Sequence, residues 1–235
     1  MYINFWYVAD ESKNITEKPL KKKMLGQNFV LFRDSKGKVN CLSDVCIHRG
    51  GSLSGGNVID DCIQCPYHGW RFDGNGTCQK IPSLGTDAKI PARAKVDSYP
   101  TDEKYGLVFC FLGDIPEKER CPIMEVNEFE EEGWRATTQY FQFDIDYKRS
   151  IENGIDGAHN EFVHPTHGFS GEDGDYKSPP INITETEWGT GFFSQMFAPP
   201  LKEKKMREAS GRNKNAVMEA GTGHHGISML WTHIH

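Results

Sequence analysis

Cys46-Ile47-His48 and Cys65-Pro66-Tyr67-His68, with sixteen residues between His48 and Cys65, decide how this chain is read. Each segment offers one sulfur and one imidazole ligand. That set suits a two-iron, two-sulfur cluster in which two thiolates hold one iron and two imidazoles hold the other. Thiolate donates charge and neutral imidazole does not, so the imidazole-bound iron is the easier one to reduce. The flanks agree: Arg49-Gly50-Gly51 follows His48 and Gly69-Trp70 follows His68, placing small residues where backbone must pass close to a metal group. Two Cys and two His are also a zinc set. Cys62-Ile63-Gln64-Cys65 adds a C-x-x-C that could serve zinc or a redox disulfide. Zinc fingers, however, usually pair cysteine with cysteine and histidine with histidine along the chain. One of each per loop favours the cluster. Cys62 is then expected in a strand leading into the second loop, and Cys41, Cys78, Cys110 and Cys121 as small buried hydrophobes.

The two segments resemble the C-x-H-R-G and C-P-Y-H-G-W loops of the Rieske oxygenase superfamily, with no departure in either. The resemblance implies that Cys46, His48, Cys65 and His68 hold a [2Fe-2S] Rieske cluster on an all-β domain.

The 235 residues allow one large domain or two modest ones with a real core. Seven cysteines in no paired framework point to a reducing interior, here the cytoplasm. Residues 1–10 lack a basic stretch followed by an apolar core, so no signal peptide is expected, and no apolar run reaches the length of a membrane span. A net charge of −6 argues against nucleic acid as a partner. Lys21-Lys22-Lys23 reads first as solvated surface, with docking of an acidic electron donor as the sharper alternative.

Between Gly26 and Gly113 the chain reads as short strands and turns. Phe29-Val30-Leu31-Phe32 and Val39–Leu42 flank Asp34-Ser35-Lys36-Gly37-Lys38, a hairpin signal, and Arg71–Thr77 holds a second one. Leu107–Leu112 reads as a buried strand, and Asn4–Ala9 resembles the opening of many Rieske oxygenases. Gly113-Asp114-Ile115-Pro116 breaks the pattern. A Rieske domain is therefore expected over 1–114 and a second, catalytic domain over 115–235. Gln139–Tyr147 is read as strand, 169–180 as loop, Leu201–Ala220 as helix or exposed loop, and Ile227–Ile234 as strand. Gly221-Thr222-Gly223-His224-His225-Gly226 fits G-x-G-x-x-G, but a strand-like segment follows it, so it is not read as a dinucleotide site.

Asn153, Asp156, His159 and His164 form the second constellation. Steps of three keep the first three near one face of a helix, whereas His164 would sit about 140° beyond His159. Both histidines reach one metal only if the helix is broken or ends, which Gly154, Gly157 and Pro165 permit. Two His and one carboxylate are the facial triad of non-haem Fe(II) oxygenases. The plainer alternative is surface or helix-capping use. N-x-x-D-x-x-H-x₄-H after two Rieske loops resembles the mononuclear iron motif of Rieske oxygenase α subunits, nearest the vanillate O-demethylase and pheophorbide a oxygenase-like monooxygenases. The resemblance assigns His159 and His164 to iron and sets Asn153 beside it. It makes Asp156 a bridge from His159 to a Rieske histidine of a neighbouring subunit, here His68. It places the third ligand, a carboxylate, beyond His235, which implies a chain truncated within the catalytic domain. Glu185, Glu187, Glu203, Glu208 and Glu219 follow His164 without motif support. His167, His224, His225, His233 and His235 read as ordinary pocket or surface residues.

The fold class so implied is α+β: an N-terminal all-β Rieske domain followed by a partial helix-grip domain, an antiparallel sheet with helices. The function implied is the oxygenase component of a Rieske monooxygenase or dioxygenase system. It takes NAD(P)H electrons through a reductase, with or without a ferredoxin, and uses O₂ at Fe(II) to hydroxylate or oxidatively demethylate an aromatic or cyclic substrate. Head-to-tail homotrimers belong to the same expectation. The alternative is a Rieske electron carrier without catalysis. Phe162, Phe169, Phe192, Phe193 and Met196 suggest apolar surface near the iron but serve equally well as core.

Overall fold

The computed structural model describes residues 2–86, 88–164, 177, 180–197, 203–211 and 217–234. The chain divides into Met1–Glu125 and Val126–His235. The first unit holds residues 115–125 as well as the expected 1–114, because Tyr105 Oη donates to Met124 O at 3.0 Å and Lys104 Nζ meets Glu125 Oε1 at 2.6 Å.

The first unit is all β among its described residues, apart from short 3₁₀ turns. Its strands are β1 (Phe5–Glu11), β2 (Leu20–Met24), β3 (Gln27–Arg33), β4 (Val39–Ser43), β5 (Asn57–Ile59) and β6 (Cys62–Gln64). They continue as β7 (Arg71–Phe72), β8 (Cys78–Lys80), β9 (Ser98–Tyr99), β10 (Thr101–Lys104) and β11 (Leu107–Leu112). Three antiparallel sheets result, ordered β1-β11-β10, β2-β3-β4-β9 and β5-β6-β7-β8. β3 explains their arrangement. Phe29, Val30, Leu31 and Phe32 are all buried, so the strand reads as a continuous apolar run rather than an alternation. Val30 and Phe32 join one core with Leu53, Ile63, Phe72, Cys46 and Cys65. Phe29 and Leu31 point the other way, into a core with Val108, Cys110 and Ile15. The β3–β4 sheet is thus a middle layer, and its β5–β8 side roots the two cysteine loops. The hairpin over 34–38 turns at Gly37, φ +82°, where only glycine is unstrained. All four cysteines outside the loops that were expected to be buried are so, and Cys62 opens β6. Lys21 and Lys22 are ion-paired, with Asp44 and Asp10, rather than simply solvated.

The second unit contains α1 (Tyr147–Ile155), α2 (Asn160–Val163), β12 (Asn182–Glu185), β13 (Gly189–Phe197), α3 (Lys204–Ser210), β14 (Val217–His225) and β15 (Met229–Ile234). Its four described strands form one antiparallel sheet in sequence order. Gln139–Tyr147 is not the expected strand: the chain is irregular until α1 begins, with Asp146 accepting from Lys148 N at 2.9 Å as N-cap. The alternation of aromatic and polar residues there has no ladder among the described residues to join. Leu201–Ala220 divides into helix and strand, with Gly211 ending α3 in the left-handed region, φ +59°. The G-x-G-x-x-G segment lies within β14 and its closing turn, which excludes a strand-to-helix phosphate loop. Most of the loop expected over 169–180 lies outside the described residues.

Candidate metal centres

The two cysteine loops repeat one geometry. Loop 1 leaves β4 and loop 2 joins β6 to β7. In loop 1, Cys46 N donates to Gly51 O at 2.8 Å and Gly50 N to Cys46 O at 2.8 Å. In loop 2, Cys65 N donates to Trp70 O at 2.8 Å and Gly69 N to Cys65 O at 3.0 Å. Gly50 and Gly69 occupy the same loop position and both have φ +72°. A Cβ on Gly51 would come 3.1 Å from Cys65 Sγ, so the loops approach one another closely enough that a side chain there would crowd the sulfur.

Like ligands meet like across the loops. Cys46 and Cys65 are buried in the core beside Leu53, whereas His48 is half-buried and His68 exposed. The two imidazole rings lie 4.6 Å apart, edge to face. Burial first, and the adjacent Cys65 thiol with it, push the Cys46 thiol up to about 11 against the hydrogen bonds from the His48 and Arg49 backbone. Metal binding there must displace protons. Burial, then the charges of His68 and Arg49, lower the His48 pKa and keep its ring in the neutral form a metal needs. His48 Nδ1 is buried and has no hydrogen-bond partner, a free acceptor aimed inward. Two inner thiols, two outer imidazoles and one orphaned ring nitrogen fit a cluster that takes sulfur on one iron and nitrogen on the other.

Two supports are not legible in the sequence. Trp70 of loop 2 stacks on His48 of loop 1, centroids 4.7 Å apart and planes 5° apart. Asp44 accepts from Ser54 N at 2.6 Å, Ser52 Oγ at 2.6 Å and Ser54 Oγ at 3.0 Å, pinning the two ends of loop 1 together. A buried acid two residues before a ligand, with S-x-S closing the same loop, is the only sequence trace of this.

The helix of the second constellation breaks, as the reach of both histidines to one metal required, and it does so before Asp156 rather than between His159 and His164. Asn153 lies on α1, which ends at Ile155, and Asp156 is its C-cap with extended backbone. His159 and His164 then bracket the four residues of α2 as its two caps. Their rings lie 5.1 Å apart, edge to face. Asp156 Oδ2 is 3.5 Å from His159 Nδ1, which is buried and without a hydrogen-bond partner. Two gathered imidazoles and an orphaned nitrogen fit a mononuclear metal as its histidine pair. Thr222 Oγ1 of β14 donates to Gly154 O at 2.7 Å and fixes the end of α1. Among the described residues no third His, Cys, Asp or Glu completes a metal-binding group, and Glu185, Glu187, Glu203, Glu208 and Glu219 do not gather there. His224 is held by Thr190 and Gly226 O, and His233 lies 3.8 Å from Glu128. Phe162 and Phe193 are exposed and Phe192 half-buried, while His167, His235, Phe169 and the Met196 side chain lie outside the described residues.

Residues 5–100 match the Rieske [2Fe-2S] domain family. The chain is 33% identical over 224 residues to Protein TIC 55, chloroplastic, of Arabidopsis thaliana, covering 88% of this chain and 41% of that protein. It is 35% identical over 161 residues to the oxygenase component of dicamba O-demethylase of Stenotrophomonas maltophilia, covering 68% of this chain and 47% of that one. The crystal structure of dicamba monooxygenase bound to dicamba superposes with a TM-score of 0.80 at 25% identity, over 98% of this chain and 66% of that chain. The chain thus spans less than half the length of these two curated relatives. Its architecture is the α+β one expected: an all-β domain with the cysteine loops, then part of a sheet-and-helix domain.

Proposed function

We infer that this chain, which belongs to the Rieske non-haem iron oxygenase superfamily, works in the oxygenase component of a multicomponent oxygenase. The observation that carries the reading is the coexistence of two histidine-bearing sites in one chain, each with an unpartnered buried ring nitrogen, at His48 and His159. Cys46, His48, Cys65 and His68 would hold the [2Fe-2S] cluster, and His159 and His164 the mononuclear Fe(II). When bound, the cluster supplies one-electron transfer and the iron a place for O₂ to be reduced.

The chain's own residues supply position and exposure. Cys46 and Cys65 keep the sulfur side away from water, while His68 presents the imidazole side outward. Asp156 faces His159 Nδ1 and would orient that ring once a metal is held, the bridging role expected of it toward His68 of a neighbouring copy in a homotrimer. Asn153, on the last turn of α1, would stand beside the iron, the place that the resemblance gives it. Electrons would come from NAD(P)H through a reductase, directly or by a ferredoxin. The substrate would be a small organic molecule hydroxylated or demethylated with O₂, by analogy with a relative named for O-demethylation of dicamba. A reducing compartment suits seven free cysteines; the cytoplasm was the first expectation, and relatives named as chloroplastic widen it to the plastid. No described helix is long and apolar enough to cross a membrane.

Iron content and spectrum of the anaerobically reconstituted chain test this. A Rieske absorption and EPR signature with about three irons per chain supports the oxygenase reading; the same signature with about two supports a carrier. Zinc in place of the signature overturns both.

A further inference from the structure

Asp44 is the most consequential charge in the first unit. Only 2% of it is exposed, and it lies two residues before Cys46 at the start of loop 1. Its carboxylate takes the three bonds from Ser52 and Ser54 given above, and the Val45–Ser52 bridge closes the loop beneath it. Hydroxyls and an amide solvate the charge without cancelling it. Among the described residues the cation on it is Lys21, whose Nζ sits 3.4 Å from Oδ2 and whose side chain is half exposed. Lys21 reaches Asp44 because β2 pairs with β3, whose Asn28 O accepts from Asp44 N at 3.0 Å. A buried anion beside a redox centre disfavours adding an electron, and a cation on that anion relieves the effect.

We propose that Lys21 and Asp44 form an electrostatic tuning pair for the cluster held by Cys46, His48, Cys65 and His68. Asp44 lowers the cluster's reduction potential while holding loop 1 closed. Lys21 raises the potential by partly neutralising Asp44, so one member of the Lys21–Lys23 run acts on the cluster from the surface. The inference rests on the Rieske reading of the two loops.

The test is spectroelectrochemical titration of the cluster in the full chain, at one pH and ionic strength, with EPR of each variant. Lys21→Gln should lower the potential and Lys21→Glu should lower it further. Asp44→Asn should raise it, by about threefold in the electron-transfer equilibrium, or ~28 mV at 59 mV per tenfold for one electron. The steps at Lys21 should be smaller, since solvent and salt screen a half-exposed charge, and should shrink at high ionic strength. Lys118→Gln, the same charge change on an exposed turn, should leave the potential in place. If Asp44→Asn does not fold, the Lys21 series decides alone, because a packing role would not order Lys, Gln and Glu by charge. A flat or reversed Lys21 series overturns the proposal with the Rieske reading intact. Absence of a Rieske signature in the unaltered chain overturns both.

Discussion

Asp156 divides its carboxylate between two tasks. Oδ1 accepts from Ala158 N at 2.8 Å and so shapes the turn that stops α1. Oδ2 faces His159 Nδ1 at 3.5 Å, too long for a formed bond but placed to become one when the ring is oriented by a metal. An amide keeps the first task and removes the charge from the second. Asp156→Asn should therefore retain the cluster spectrum and the iron content, while oxidation of the reduced cluster by O₂ slows by about 10- to 100-fold. Stopped-flow absorbance and elemental analysis on the same sample read both; an unchanged rate with full iron would sink the bridging role. The cluster side contrasts with this. His48 is braced by the indole face of Trp70 rather than by a bond, an aromatic pair of the sort worth about 0.5–1.5 kcal/mol. Nothing in C-P-Y-H-G-W says which ring its tryptophan will cover. Candidate ligands could be picked out at the residue scale because metal chemistry restricts the residue types; bracing could not, because many side chains can brace.

Among elements, β3 ties most of the first unit together, and its last residue carries a charge network. Arg33 Nη2 donates to Glu103 Oε1 at 2.9 Å and Nη1 to Glu103 Oε2 at 3.0 Å, while Nε reaches Ile15 O at 3.0 Å. Ser12 also donates to Glu103. The Arg33 bond holds the Glu103 carboxyl below its ordinary pKa. A depressed carboxylate binds fewer protons folded than unfolded, so its contribution is present above the ordinary carboxylate pKa and is lost as pH falls through the depressed one. Thermal midpoints by circular dichroism, followed from neutral pH to about pH 3, should fall less steeply for Glu103→Gln than for the parent, from a lower neutral value. Parallel curves would mean that the pair adds nothing. The elements legible in the sequence were those whose burial decides their form, such as β3, β4 and β11. Gln139–Tyr147 was misread because period-2 alternation marks a strand only where a partner strand is present. A break in the helix around Gly154 and Gly157 could be anticipated, but its place could not, because equal spacing says nothing about a cap, and Asp156 is one.

At the scale of the molecule the two units differ in what they bury. Among the described residues every buried apolar side chain lies at or before Ile123, most of them in the two cores flanking the β3–β4 sheet. The second unit has glycines at the centre of its sheet, with Trp231 lying over Gly191 and Gly223 and Phe193 over Gly221. Its Tyr140, Phe141, Phe143 and Ile145 are exposed in sequence. Aromatic rings over glycines cover a sheet face but do not build a core, so local opening of the second unit should cost less than opening of the first. Limited proteolysis of the cluster-loaded chain should accordingly cut first beyond Glu125 and leave a fragment close to residues 1–125 that keeps its Rieske absorption. Mass spectrometry locates the cuts, and the visible spectrum follows the cluster. The loss of colour at the rate of the first cut would show that residues beyond Glu125 help to hold loops 1 and 2, and would place the stability of the cluster in the whole chain rather than in the first unit.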